Sequence, residues 1–413
     1  MFRRSQSRHS LERYVTGLLT DLSRKNCDTI AAAVAGTSTE RLQHLLTDAD
    51  WDSRELDGAR VRSLSAKSPK GGILVLDDTS FPKKGKASVG VARQYCGALG
   101  KRANCQVVVS AHYVADEPES SRPLHWPVCA RLYLPEGWAK DRERRERAHV
   151  PDEVAFRSKP QIALSLAELS GEWEVPYGVV VADSGYGKYP DFLGGLEERK
   201  LPYVCAVEST FGVRLPEEEV VAAKEAGAPH YKGRGQPPKE RPAPLYTAKE
   251  LIGSLPDEAW QTVSLREGTK GSLSKQMVAL RVHRATGSDR HSTDHERVVT
   301  AAEGWLIAER PLRRSAEKEE QPGEEEELKY YYSSLGADES LERLAALAKS
   351  RWAIEQFYED AKGVCGLGDF QGRRWDGFHR HLALSMVAYS LLMLHSSTLG
   401  EDSSHEEEAF SPL

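Results

Sequence analysis

The chain has 413 residues, long enough to bury a large core in two or three domains. Charged residues make up 29% and aromatics 8%, so the chain as a whole is neither a disordered tail nor a collagen-like repeat. The net charge of −6 counts at first against a nucleic-acid partner, because phosphate binders are usually basic. The opening MFRRSQSRHSLERY lacks the apolar stretch of a signal peptide, and the longest apolar run, Leu382 to Leu394, is too short to span a bilayer. Six cysteines without a CxxC pair argue against zinc ribbons and a disulfide scaffold. The expectation is a multi-domain, soluble, intracellular protein with reduced thiols.

Residues 1–65 read as helical, with Leu11, Val15, Leu18, Leu19 and Leu22 at helical spacing. A small apolar helix ending at Gly36, then Thr39 as an N-cap for a second helix, resembles a helix-turn-helix, a pattern shared by any helical hairpin. From about 70 the texture changes. Gly71 to Leu76 is a buried strand ending in Asp77-Asp78-Thr79, and strands follow at 89–95, 105–114 and 128–134. Helices are expected near 140 and over 160–169. Tyr177 to Ala182 is another buried strand ending in an acid, Asp183, followed by a helix over 189–200 and a strand over 201–207. This alternation predicts a mixed α/β sheet with flanking helices over 70–207.

Residues 208–335 interrupt it as a β-rich insertion with mobile loops. They hold a basic Pro/Gly-rich loop (232–242), strands near Trp260 to Leu265, Lys275 to Arg284 and Glu303 to Glu309, and an acidic stretch from Glu317 to Glu327. The segment 336–398 brings one long helix from Ser340 to Lys362 and an apolar one from Gly377 to Ser396. Residues 399–413 read as an acidic disordered tail.

Three acids stand out by placement. Asp77 or Asp78 ends one apolar strand and Asp183 ends another, and ligands gather at the carboxyl ends of strands in such sheets. Two carboxylates there suit a hard divalent cation such as Mg²⁺, although an aspartate after a strand is also ordinary turn chemistry. On the long helix, Glu355 lies about 40° and Lys362 about 20° around from Arg351. One face therefore carries Arg, Glu and Lys, a set suited either to a metal-bound phosphodiester or to i,i+4 ion pairs in solvent.

The R-x3-E-x6-K spacing, after two strand-end aspartates and a long insertion, is similar to the signature of IS4-like DDE transposases. More specifically, LVLDDTSFPKKGKASVGVARQYCGALGKRANCQVVVS (74–110), RLYLPEGWAKDRERRERAHVP (131–151), VVADSGYG (180–187) and RWAIEQFYEDAKGVCGLGDFQGR (351–373) resemble the IS701 family. The resemblance implies an RNase H-like catalytic domain with its β-rich insertion before the glutamate helix. It implies a catalytic, metal-holding triad of Asp77, Asp183 and Glu355, with Arg351 and Lys362 as basic members. An Asp-Asp-Thr block favours Asp77 as the first acid; relatives with the acid directly before Thr favour Asp78. The tyrosine expected three residues before the arginine is replaced by Ala348.

The implied activity is a DNA transposase working by two-metal-ion phosphoryl transfer, with Mg²⁺, or Mn²⁺ in its place. Its partners would be double-stranded terminal inverted repeats and target DNA, its synaptic form a homodimer, and its location the cytoplasm and nucleoid of a prokaryotic cell, with no membrane. The rivals are a catalytically silent DNA-binding derivative and an RNase H-like nuclease without strand transfer.

Lys83, Lys84, Lys86, Arg93, Lys101 and Arg102 after the first acid, and Arg373, Arg374 and Arg380 after the helix, are candidate DNA-backbone contacts. Arg41 and Gln43 are candidates for the terminal repeats. Trp260 and Trp305 could stack a flipped base but read better as core residues, and His379 and His381 read as structural or DNA-proximal. The charge objection then weakens. Residues 1–110 hold 18 Lys+Arg against 11 Asp+Glu, and the acidity concentrates in 311–328 and 401–413.

Overall fold

In a computed structural model of the chain, the described residues are 4–117, 123–216, 245–268, 271–285, 303–312 and 328–408. The basic loop at 232–242 and the acidic stretch at 317–327 lie outside them. Four helices open the chain: α1 (Ser5–Leu19), α2 (Cys27–Ala33), α3 (Thr39–Thr47) and α4 (Ser53–Ser65). The cap of α3 is Ser38 rather than Thr39, its Oγ accepting the amide of Arg41. Strands β1 (Gly72–Pro82), β2 (Ala92–Cys96), β3 (Lys101–Val114) and β4 (His125–Leu132) come next. After two short helical turns come α5 (Lys159–Glu172), β5 (Tyr177–Ala182), α6 (Pro190–Glu198) and β6 (Tyr203–Val207). Strands β7 (Gly212–Arg214), β8 (Tyr246–Thr247), β9 (Gln261–Gly268), β10 (Gly271–Arg284), β11 (Glu303–Arg310) and β12 (Lys329–Ser333) precede helices α7 (Leu341–Lys349), α8 (Trp352–Gly363) and α9 (Trp375–Glu408). This is a mixed α/β fold with flanking helices, as an RNase H-like domain requires. Among the described residues, no helix is long and apolar enough to cross a membrane. All six cysteines are free thiols, five of them buried.

The chain divides into two compact units, one holding Met1–Glu117, Arg122–Gly178 and Arg351–Leu413, the other Val179–Ser350. In the first, β3 pairs antiparallel with β1 along one edge, and with β2 and then β4 along the other. Side chains alternate across a strand, so β1 presents one row to α8 and the opposite row to α5. The N-terminal helices dock on α9: Tyr14 Oη lies 2.8 Å from His381 Nδ1, and Arg380 donates to the carbonyls of Leu46, Ala49 and Trp51. In the second unit β5 runs parallel to β6, and the order continues β12, β11, β10, β7, β8, with β9 also on β10.

Two expectations change. Asp77 and Asp78 are mid-strand rather than strand-end, because the β1–β3 ladder continues from Ile73↔Val114 to Pro82↔Cys105. The helix over 340–362 is two helices: Ser350 N and Oγ both donate to Leu347 O, closing α7 in a tight turn at the unit boundary. Helix α9 runs from Trp375 to Glu408.

Candidate active site

The row of β1 that faces α8 holds Asp77 and Thr79. Ser110 of β3 stands directly opposite Asp77. From α8 the facing stripe is Arg351, Glu355, Tyr358 and Lys362, spaced by four, three and four residues, so all four share one side of the helix. Asp77 is buried, 8% exposed; its Oδ2 accepts from Arg351 Nη2 at 2.9 Å and its Oδ1 from the amide of Asp78 at 2.7 Å. The same Nη2 lies 3.6 Å from Glu355 Oε1, whose side chain is 63% exposed. One guanidinium is thus shared by two carboxylates, one buried and one open to solvent.

At the far end of the stripe Lys362 Nζ donates to Thr79 Oγ1 at 2.6 Å and lies over the rings of Phe81 and Tyr358. Burial lowers the Lys362 pKa. Tyr358 Oη is 2.6 Å from Ser110 Oγ, and its pKa is driven well above that of free tyrosine, first by burial and then by the negative charge of Asp77. Tyr358 therefore stays protonated at neutral pH, a donor rather than a base or nucleophile. Behind the stripe, His112 stacks on Phe357 and lies 2.9 Å from His125 across the ring nitrogens.

Asp78 points the other way. Both its oxygens meet Lys159 Nζ of α5, at 3.1 and 3.2 Å. The two aspartates that sequence could not separate therefore sit in different chemical settings, and Asp77 is the one joined to the Arg351–Glu355 face.

Asp183 belongs to the Val179–Ser350 unit. It follows β5 directly, as expected, and its carbonyl accepts the amides of Tyr186 and Gly187, closing one helical turn. Gly187 lets that turn lie against β6, since a Cβ there would come within 2.0 Å of Ala206 O. Trp260 and Trp305 are half-buried rather than core residues, each with a guanidinium over its ring: Arg310 at 4.2 Å and Arg281 at 4.7 Å.

The basic candidates divide. Lys84, Lys86, Arg93, Lys101, Arg102, Arg373 and Arg41 are exposed. On the β2–β3 hairpin, Tyr95, 62% exposed, faces Arg102 across the ladder. Lys83, Arg374 and Arg380 are engaged internally. Lys83 holds the Phe370 carbonyl, Arg374 forks onto Asp376 and reaches Asp48, and Arg380 holds the carbonyls already described. His379 and His381 are buried structural residues bonded to the Trp375 and Gly366 carbonyls. Thr79, Ser110, Tyr358 and Lys159 were not among the site residues that the sequence suggested. Strand alternation from Asp77 and the i+7 position from Arg351 would have found the first and third; the other two depend on distant pairings.

Hard oxygen donors drawn to a single positive centre are what a divalent cation takes, so Asp77 and Glu355 fit such an ion. Among the described residues no three His, Cys, Asp or Glu side chains cluster in ligand geometry. A strand aspartate and a helix glutamate converging beside arginine and lysine define a site suited to phosphate chemistry. The chain belongs to the DDE superfamily of endonucleases: the profile described as DDE superfamily endonuclease matches residues 1–272, and that of the transposase DDE domain matches 166–391. It is also similar to the probable transposase for insertion sequence element IS701 of Microchaete diplosiphon, 31% identical over 207 residues. That match covers 49% of this chain and 50% of the relative, so it spans about half of that protein's length.

Proposed function

We propose that the protein is a DNA transposase that cuts at the ends of an insertion sequence and joins the freed 3′ ends to target DNA. The observation that carries this reading is the pair Asp77 and Glu355 on one guanidinium, in a chain of the DDE endonuclease family. Asp77, Asp183 and Glu355 would hold divalent cations, Mg²⁺ or Mn²⁺, which when bound compensate charge on the attacking and leaving oxygens of an in-line displacement.

The chain's own residues do the rest. Arg351 holds the buried Asp77 carboxylate in place through an ion pair at 2.9 Å. Lys362, tied to Thr79, supplies positive charge at the other end of the stripe, toward a phosphate oxygen. Tyr358, held protonated, braces α8 on β3 through Ser110. The exposed basic residues of the β2–β3 hairpin and Arg373 track the DNA backbone, giving position without sequence reading. Arg41 and Gln43 of α3 remain candidates for the terminal repeats. Joining two ends calls for at least a dimer on DNA, and the work is that of a cytoplasmic, nucleoid-associated enzyme.

The test is cleavage of a duplex carrying the element's own ends in Mg²⁺ or Mn²⁺. Nicking followed by joined product supports the proposal. Nicking without joining indicates a nuclease, and end binding without nicking a silent derivative. Asp183→Asn is expected to abolish cleavage and leave end binding intact; loss of binding instead would make Asp183 structural.

A further inference from the structure

A cavity of about 620 Å³ opens in the unit that contains α9, and none of Asp77, Arg351, Glu355 or Lys362 lines it. Four arginines do: Arg54 at the start of α4, Arg131 in β4, Arg157 just before α5, and Arg380 of α9, whose guanidinium is already held by the Leu46, Ala49 and Trp51 carbonyls. Arg131 is half-buried, and among the described residues no carboxylate pairs with it. Its pKa is pushed down, first by burial and also by Arg54 and Arg157, while Cys129 and the Asp52 carboxylate act in the opposite direction. Like charges beside a half-buried guanidinium are unfavourable, and an anion entering the cavity would relieve them further than Asp52 does.

Two further features raise the positive potential. The first turns of α4 (Asp52, Ser53) and α9 (Trp375, Asp376) both line the cavity, so two helix N-termini meet there. The acids present are largely occupied. Asp52 caps α4 through the amide of Arg54 at 2.8 Å, and Asp376 is forked by Arg374; Glu153 is exposed. Arg54 also touches Glu172 at 3.3 Å, an exposed contact of small worth. Trp51 and Trp375 give the cavity apolar walls.

We infer that this cavity is a phosphate-binding site, separate from the carboxylate site, with Arg131 as its central donor and Arg157 and Arg54 beside it. Planar guanidinium forks match the oxygens of a phosphate monoester or diester and hold their charge when desolvated. The phosphate could belong to bound DNA or be free phosphate or a nucleotide. The inference stands on the cavity and does not rest on the cleavage reading.

The experiment uses the full chain as wild type, Arg131→Gln and Arg157→Gln, each checked for folding by circular dichroism and melting. Inorganic phosphate is titrated by calorimetry, and a fluorescein-labelled duplex by anisotropy across a salt series. Either substitution is expected to weaken phosphate binding about tenfold, the worth of one charged hydrogen bond. If the phosphate belongs to DNA, the salt slope of duplex binding also falls by about 1; if only inorganic phosphate responds, the ligand is a free anion. Should Arg131→Gln fail to fold, the exposed Arg157→Gln decides. Wild type that binds neither probe, or variants matching it on both, overturns the inference. Wild type that binds phosphate but no DNA leaves the site standing and sinks the transposase reading.

Discussion

The two rows of strand β1 place adjacent aspartates in opposite circumstances. Asp77 is buried and shares Arg351 with the solvent-exposed Glu355, while Asp78 makes an ion pair with Lys159, both partners about a third exposed. On the Asp78 side charge is neutralised at the surface, where such a pair contributes little. On the Asp77 side one guanidinium meets both a buried and a solvent-exposed carboxylate. A single residue step, through strand alternation, separates a candidate ligand from a surface ion pair.

The largest effect that can break this comparison is Asp77→Asn, expected to lower cleavage by on the order of 10³-fold or more, measured on a duplex with the element's ends. Glu355→Gln should cost a similar factor while leaving the melting temperature within a degree or two of wild type, because its side chain is open to solvent. A large loss of stability there would mean Glu355 is structural.

A middle-sized effect is acid sensitivity of the Asp77 row. His112 and His125 lie behind α8, and burial pushes His125 down to about 4 and His112 well below its ordinary value. An unfolded chain takes up these protons from about 6.5 downward while the folded one does not. Their contribution to stability is therefore complete above 6.5 and is lost as pH falls toward 4. Melting followed across this range should show the decline, and His125→Gln should flatten it. An unchanged profile would place the acid sensitivity elsewhere. The smallest effect is Asp78→Asn, worth about 1 kcal/mol or less in denaturant unfolding, with cleavage within a few-fold of wild type.

How much of this was legible depended on whether the cause was local. Tyr177–Ala182 was read to the residue, because a continuous apolar run between Pro176 and Asp183 leaves little choice. The Arg351, Glu355, Lys362 face followed from helical periodicity. The length of β1 did not. Two adjacent acids usually end a strand, and these are kept inside one by cations 274 and 81 residues away. The break at Ser350 left no glycine or proline to announce it. Arg374 and Arg380 looked like free basic residues, yet they are fixed by Asp48, Leu46, Ala49 and Trp51, partners more than 300 residues distant.

The central claim is that Asp77, not Asp78, is the first carboxylate of the site. It is tested most directly by Mg²⁺-dependent nicking of the element's ends by Asp77→Asn and Asp78→Asn, side by side at matched folding. The account predicts silence from the first and near-normal nicking from the second. An active Asp77→Asn beside a silent Asp78→Asn would contradict it.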